Sequence, residues 1–133
     1  GSGLRLVCDA SAHFATSVRQ ETIIGGPVEG KIALMFDDMI STGGSICGAA
    51  ELVKRYGAQE IHVAATHGVF AGQATELLKK APIDSVVITD TIPLKPENRL
   101  DKIKVLTVST LLGEAIKRIH HDQSISSIFN TGN

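Results

Sequence analysis

The sequence predicts an α/β fold of three layers, in which helices cover a mainly parallel sheet. Short apolar runs alternate with amphipathic stretches of about ten or more residues, which is typical of strand–helix–strand units. The run KIALMF, at 31–36, is almost continuously apolar, as expected for a strand covered on both faces. The 133 residues suit one compact domain with a single core.

The predicted strands are bounded by turn residues or by changes of periodicity. They lie at 4–8, 31–36, 61–66, 85–89 and 102–108. The intervening stretch 9–21 is small and polar and predicts a loop, whereas 22–31 predicts a turn or a small hairpin.

Three helices are predicted from apolar spacing. The first begins near Ser45 and ends at Gly57, and the second covers 71–81 before Pro82. The third is expected to begin with Ser109 or Thr110 as its cap. Its predicted apolar stripe consists of Leu112, Ala115, Ile116 and Ile119.

The composition argues against several classes of partner. The net charge is −1 with both signs interspersed, so neither nucleic acid nor an anionic membrane is an expected partner. No apolar run approaches the roughly 18 residues that cross a bilayer. Cys8 and Cys47 form no CxxC motif, which favours a reducing, cytoplasmic setting. The histidines lack metal-ligand spacing, so no zinc site is expected.

The segment DDMISTGGS, at 37–45, is the strongest candidate for a functional site. It joins a predicted strand to a predicted helix, the position at which parallel sheets bind ligands. A helix start offers free N–H groups and partial positive charge, and glycines allow the backbone to approach an anion. Hydroxyl groups add donors. A phosphate site is therefore predicted at Ser41, Thr42, Gly43, Gly44 and Ser45.

The neighbouring acids, Asp37 and Asp38, require a different partner because carboxylates repel phosphate. A sugar phosphate satisfies both groups, since its vicinal hydroxyls donate to the acids while its phosphate lies on the loop. A divalent ion bridged by water would screen the remaining repulsion. The alternative is a strand-to-turn corner with solvated acids and a serine N-cap, which explains the acids alone better than the whole segment.

Beyond this loop, the sequence resembles the phosphoribosylpyrophosphate synthetase family, the ribose-phosphate pyrophosphokinases. The loop is shared with phosphoribosyltransferases, but segments 23–38, 65–94 and 104–129 resemble the synthetases in their order and spacing. The resemblance implies a type I phosphoribosyltransferase-like fold. It also implies diphosphoryl transfer from magnesium-bound ATP to the anomeric hydroxyl of ribose 5-phosphate.

The resemblance also implies roles for particular residues. Asp37 and Asp38 would bind the ribose hydroxyls, and residues 41–45 would bind the 5-phosphate. Ser124, Ser126 and Phe129 match a segment that, in the family, helps to form a regulatory anion site between subunits. A homo-oligomer that uses Mg²⁺ with ATP is therefore expected, while the catalytic residues and metal ligands stay unassigned.

The chain departs from the family pattern at several points. Many members have Asp in place of Ser41 and Thr in place of Ser45. The family's flexible catalytic loop supplies a Lys-x-Arg pair, whereas Arg19 is the only basic residue in 8–20. Counterparts of the ATP-binding half, and of the first strand and helix of the other half, are not found.

These departures shape the expected domain organisation and leave two other functions open. Residues 1–3 resemble a cloning remnant, and 4–133 are expected to be a partly truncated C-terminal domain that binds ribose 5-phosphate without turnover by itself. A non-catalytic regulatory paralogue fits the missing Lys-x-Arg pair. Another phosphoribosyltransferase would explain 31–46 but not the segments after 65.

Two further side chains lie near the predicted site. His67 follows a strand, and a hydrogen-bonded structural role is favoured for it over a ligand contact. Cys47 lies in the first turn of a helix, which can lower a thiol pKa, but a small buried packing residue is the favoured interpretation. The triplet Thr89-Asp90-Thr91 closes another strand at the same edge of the sheet.

Overall fold

The computed structural model describes residues 4–7 and 28–128, so the predicted loop at 9–21 and most of the predicted turn at 22–31 lie outside the described residues. The α/β class is confirmed. The strands are β1 (Leu4–Val7), β2 (Ile32–Ile40), β3 (Glu60–Gly68), β4 (Ser85–Thr89) and β5 (Ile103–Leu106). The helices are α1 (Gly44–Arg55), α2 (Ala74–Lys80) and α3 (Ser109–His120), with short 3₁₀ turns at Pro96–Asn98 and Ser126–Ile128.

The strands form one sheet in the order β1-β2-β3-β4-β5, and every neighbouring pair is parallel. The carboxyl ends of the strands therefore meet at one edge. In the register of β2 and β3, Asp37 is opposite Ala65 and Met39 is opposite His67. This register places the end of the candidate segment beside the end of β3.

The core lies between one face of the sheet and the helices α1 and α2. Alternate strand residues such as Met35, Val63 and Ile88 project from that face and are almost fully buried. The helices contribute Ile46, Cys47, Ala50, Val53, Ala74 and Leu78 to the same cluster. This arrangement forms one well-packed helix layer.

The opposite face of the sheet is less covered within the described residues. Leu34 is half-buried, and Phe36 is 44% exposed. The expectation that 31–36 is covered on both faces therefore holds for one face. The apolar run predicted a strand correctly, but an apolar side chain does not require that a layer be present to cover it.

Helix α3 contributes no buried residue to the described core. Its stripe is present, but Leu112, Ile116 and Ile119 are 55%, 67% and 59% exposed. The predicted cap was wrong, because the residue before the helix is Val108 and Ser109 is already helical. The helix start is instead tied by the Thr107 hydroxyl, which accepts a hydrogen bond from the Ser109 N–H at 3.2 Å.

Several element boundaries differ from the predicted ones. Strand β2 continues through both acids to Ile40 instead of ending at residue 36, because β3 also continues and pairs with it as far as Gly68. Gly57 ends α1 as predicted, with a φ of +86°. In the part of the chain that the structure describes, no helix is long and apolar enough to span a bilayer.

Candidate functional site

A small open pocket of about 110 Å³ lies where β2 ends and α1 begins. It is therefore at the carboxyl edge of the sheet, where the sequence placed the site. Its lining is Asp37, Met39, Ile40, Ser41, Thr42, Gly43, Ser45 and Ile46. The structure thus brings together one of the two predicted acids and four of the five predicted loop residues, leaving Asp38 and Gly44 outside the lining.

Gly43 sets the geometry of the helix start. Its φ is +80°, a left-handed conformation that glycine adopts readily, and it is the residue immediately before α1. Its carbonyl accepts the Cys47 N–H at 3.0 Å, whereas no side chain caps the helix. The predicted alternative of a serine N-cap is therefore wrong, and the first-turn N–H groups are not bound by a capping side chain.

Backbone hydrogen bonds to the following loop hold this segment in place. The Ile40 carbonyl accepts the N–H groups of Val69 at 3.0 Å and Phe70 at 3.1 Å. The Ser41 carbonyl accepts the Ala71 N–H at 3.0 Å. Because the backbone fixes the loop, its side chains are not needed for its shape.

The side chains of Ser41, Thr42 and Ser45 are exposed. Within residues 28–128, no hydrogen bond to their hydroxyl groups is found. A set of unpaired hydroxyls beside an uncapped helix start is chemically suited to a phosphate group.

The two acids occupy different environments because successive strand residues project in opposite directions. Asp37 is half-buried and lines the pocket, whereas Asp38 is exposed. The Asp37 Oδ1 accepts the Asp38 N–H at 2.8 Å, and the Asp38 Oδ1 accepts the Met39 N–H at 2.8 Å. Burial raises the pKa of Asp37, and the neighbouring Asp38 carboxylate raises it further.

A second polar group lies at the ends of β3 and β4. The His67 Nδ1 is 2.7 Å from the Thr91 Oγ1, and the Thr89 hydroxyl donates to the Thr66 carbonyl at 2.7 Å. Beside it, the Thr107 hydroxyl and the Val108 N–H lower the pKa of Asp90. The hydrogen bond expected of His67 is present, but Thr91 was not predicted as its partner.

Cys47 is a packing residue, as expected. Its side chain is buried in the core cluster, and this burial raises the pKa of its thiol above the ordinary value. The position of Cys47 in the first turn of α1 therefore does not activate it.

The predicted regulatory segment forms a local hydrogen-bonded cluster. The hydroxyls of Ser124 and Ser126 are 2.7 Å apart, and the Arg118 Nη1 donates to the Ser124 carbonyl at 3.3 Å and to the Ser127 hydroxyl. The Arg118 Nε donates to Glu114 at 2.9 Å. Phe129 lies outside the described residues, and anion binding by this cluster stays a prediction.

Within the described ranges, no group of three or more His, Cys, Asp or Glu residues is arranged to hold a metal ion. Taken together, the parallel sheet and the hydroxyl-rich turn at its carboxyl edge define an α/β domain whose edge is chemically suited to a phosphorylated ligand.

Comparison with known proteins identifies the family. Residues 10–130 match the family described as the phosphoribosyl synthetase-associated domain. The chain therefore belongs to that family.

Named relatives agree with this assignment. A ribose-phosphate pyrophosphokinase from Rhodopirellula baltica is 63% identical over 129 residues, which is 97% of this chain and 40% of the relative. A protein of the same name from Caldanaerobacter subterraneus is 53% identical over 104 residues, covering 78% of this chain and 33% of the relative. The chain thus spans two fifths or less of the length of these relatives.

A solved structure supports the fold. The crystal structure of phosphoribosylpyrophosphate synthetase from Mycobacterium smegmatis matches with a TM-score of 0.72 and 36% sequence identity, over 74% of this chain and 33% of that chain. The resemblance inferred from the sequence is confirmed, as is the phosphoribosyltransferase-like fold that it implied.

Proposed function

We propose that this chain is the ribose 5-phosphate-binding part of a ribose-phosphate pyrophosphokinase. The whole enzyme would transfer a diphosphoryl group from ATP to the anomeric hydroxyl of ribose 5-phosphate. The observation that carries the proposal is the pocket at the end of β2, in which a carboxylate and a hydroxyl-rich helix start line the same space. A pentose phosphate has complementary groups, with hydroxyls at one end and a phosphate at the other.

The phosphate is assigned to the loop at 41–45. Its backbone N–H groups and the hydroxyls of Ser41, Thr42 and Ser45 would donate to the phosphate oxygens. Each hydrogen bond to a charged group contributes about 1.5–3 kcal/mol, so several together are sufficient for specific binding. Gly43 supports this contact indirectly, because its left-handed backbone turns the chain into α1.

The ribose hydroxyls are assigned first to Asp37, which lines the pocket. A hydroxyl donor satisfies a carboxylate that burial has partly removed from water. Asp38 projects to the other side of β2 and would contact the part of the ligand that extends beyond the pocket. Its exposed carboxylate also fits a water-bridged contact with Mg²⁺, an ion that prefers oxygen ligands and retains several waters.

Magnesium-bound ATP is the proposed second substrate of the whole enzyme. Phosphoryl transfer of this kind depends on positioning and on neutralising negative charge, which Mg²⁺ supplies when it is bound. The pocket accounts for the pentose phosphate, and the ATP contacts are assigned to the part of the relatives that this chain does not span. Homo-oligomeric assembly belongs to the same proposal.

Isothermal titration with ribose 5-phosphate tests the assignment. The wild-type chain is expected to bind, and Asp37→Asn is expected to weaken binding about tenfold or more, because it removes a charged acceptor. Asp101→Asn is the matched control, since Asp101 is an exposed acid that precedes β5 at the other edge of the sheet. Equal affinities in the wild type and Asp37→Asn would contradict the pocket assignment.

A non-catalytic regulatory subunit is the second candidate, favoured by the single basic residue, Arg19, in 8–20. This candidate also binds ribose 5-phosphate, but it would assemble with an active synthetase without adding turnover. Measuring AMP release from ATP by the mixed complex separates the two functions. Extra activity per added chain would exclude the regulatory candidate.

A further inference from the structure

His67 lies one strand away from the pocket. It is paired in register with Met39, a lining residue, and neighbouring strands are about 4.8 Å apart. Paired residues of adjacent strands project from the same face, so His67 and Met39 share one side of the sheet. His67 therefore stands at the carboxyl edge, next to the site.

Within the described part of the chain, the imidazole of His67 is held through Nδ1 alone. Its Nδ1 is 2.7 Å from the Thr91 Oγ1, and that oxygen lies 3.1 Å from the Thr89 Oγ1 and 3.3 Å from the Thr66 carbonyl. No hydrogen-bond partner of the Nε2 is found among residues 28–128. The single proton of the Thr91 hydroxyl can go to the His67 Nδ1, at 2.7 Å, or to the Thr66 carbonyl, at 3.3 Å. The shorter contact favours Nδ1 as the acceptor, and the ring proton then lies on Nε2, which is a donor.

Among residues 28–128, the lining of the pocket has no basic group. Its lining contains one carboxylate, hydroxyls and apolar side chains, but no Lys, Arg or His. A phosphorylated sugar places more negative charge beside the Asp37 carboxylate. A nearby hydrogen-bond donor that can also carry a positive charge would therefore favour binding. His67 is positioned to be that donor.

We propose that His67 binds a phosphoryl oxygen of the ligand through Nε2 and that Thr91 is the positioning residue that orients its ring. This inference rests on the proposed function, because the ligand is taken to be ribose 5-phosphate. His67 contributes a ligand contact that the loop motif does not contain, and Thr91 contributes through a hydrogen bond that links β3 to the segment after β4.

Two substitutions separate ligand binding from a purely structural role. Asparagine reproduces the Nδ1 position and glutamine approximates the Nε2 position, so His67→Asn keeps the Thr91 contact while His67→Gln keeps the proposed donor. In calorimetric titrations with ribose 5-phosphate, His67→Asn is expected to raise the Kd about tenfold or more. His67→Gln is expected to stay within about threefold of wild type. A structural role through Thr91 predicts the opposite ranking.

His62→Asn is the control for loss of a histidine. His62 lies near the start of β3, where it contacts Ser85 and Glu60, and its replacement should leave the Kd unchanged. Thermal unfolding of every variant shows whether a lost affinity reflects lost folding.

An NMR titration of the wild-type chain tests the contact without any substitution. Adding ribose 5-phosphate should shift the imidazole resonances of His67 with the calorimetric Kd, and those of His62 should not move. If the wild type binds but His67 neither shifts nor matters for affinity, this inference fails while the proposed function stands. If the wild type does not bind ribose 5-phosphate, the proposed function fails and this inference fails with it.

Discussion

Asp37 combines two properties that both disfavour its charged form. Its carboxylate is partly removed from water, and a second carboxylate follows it in the chain, so its pKa is raised. For such an acid the protonated form is favoured by folding. The corresponding stability is present at low pH and is lost as the pH rises through the folded-state pKa. At neutral pH the ionised carboxylate therefore lowers the stability of the free protein. Hydrogen bonds from a bound sugar would offset that loss.

Asp37→Asn should therefore stabilise the free protein at pH 7 while weakening ligand binding. The unfolding temperature of the variant is expected to exceed that of wild type at pH 7, and the difference should shrink as the pH falls towards the usual aspartate value of 3.8. Circular-dichroism melts across this pH range measure the effect. A lower unfolding temperature at pH 7 would mean that Asp37 has a structural role.

At the residue scale, the sequence predicted which types of residue lie at the site better than it predicted the directions in which their side chains project. That Ser41, Thr42, Gly43 and Ser45 line one pocket could be predicted because their motif is local and continuous. The separation of Asp37 from Asp38 could not, because the strand was expected to end at residue 36 and both acids were placed in a loop. The contact between His67 and Thr91 joins β3 to the segment after β4 across 24 residues, and single-sequence periodicity contains no information about such pairs.

At the scale of elements, the junction between β2 and α1 depends on backbone conformation. Gly43 has a φ of +80°, and an added Cβ would lie 3.4 Å from the Ala74 Cα. The steric space is acceptable, but the left-handed conformation costs a residue with a side chain about 1–2 kcal/mol. The conformation, not crowding, therefore requires glycine here.

Gly43→Ala is expected to lower the free energy of unfolding by about 1–2 kcal/mol. Gly48→Ala is the matched control, because Gly48 is exposed within α1 and an added Cβ meets nothing within 4 Å. That control should raise stability by about 0.5–1 kcal/mol, since alanine favours a helix interior. Urea unfolding of both variants measures the contrast, and equal effects would contradict the conformational explanation.

Elements whose own sequence has a clear apolar pattern were predicted well. Where the bounds or the burial of an element depend on its packing partners, the prediction was poorer. Strand β4 has the predicted bounds, because SVVIT is a compact β-branched run between turn residues. Strand β2 extends further than its apolar run, since pairing with β3 carries polar residues into the sheet. Helix α3 has the predicted stripe, but periodicity cannot reveal whether another layer covers it.

At the scale of the whole molecule, the described residues form one side that is tightly packed and one side that is largely exposed. Ile88 projects into the core and is fully buried, whereas Ile116 on α3 is 67% exposed. Burial of an isoleucine stabilises a fold through transfer from water and through packing, and both terms are small at an exposed position. The same substitution should therefore have very different effects at these two residues.

Ile88→Ala is expected to destabilise the domain by about 2–5 kcal/mol, and Ile116→Ala should change its stability by no more than about 0.5 kcal/mol. Chemical unfolding at low protein concentration provides the comparison. A large loss in Ile116→Ala would indicate that α3 is covered in solution, and repeating the measurement at higher concentration would identify self-association as the cause.

The strand order also bears on how the domain is made. From β2 to β5, each strand lies beside the one that precedes it in the chain, and the intervening helices α1 and α2 return on a single side. During translation, each new strand would therefore pair with a strand that has already been synthesised. No position inside the sheet would have to stay open for a strand made later. Assembly by stepwise accretion during translation is the route that this topology favours.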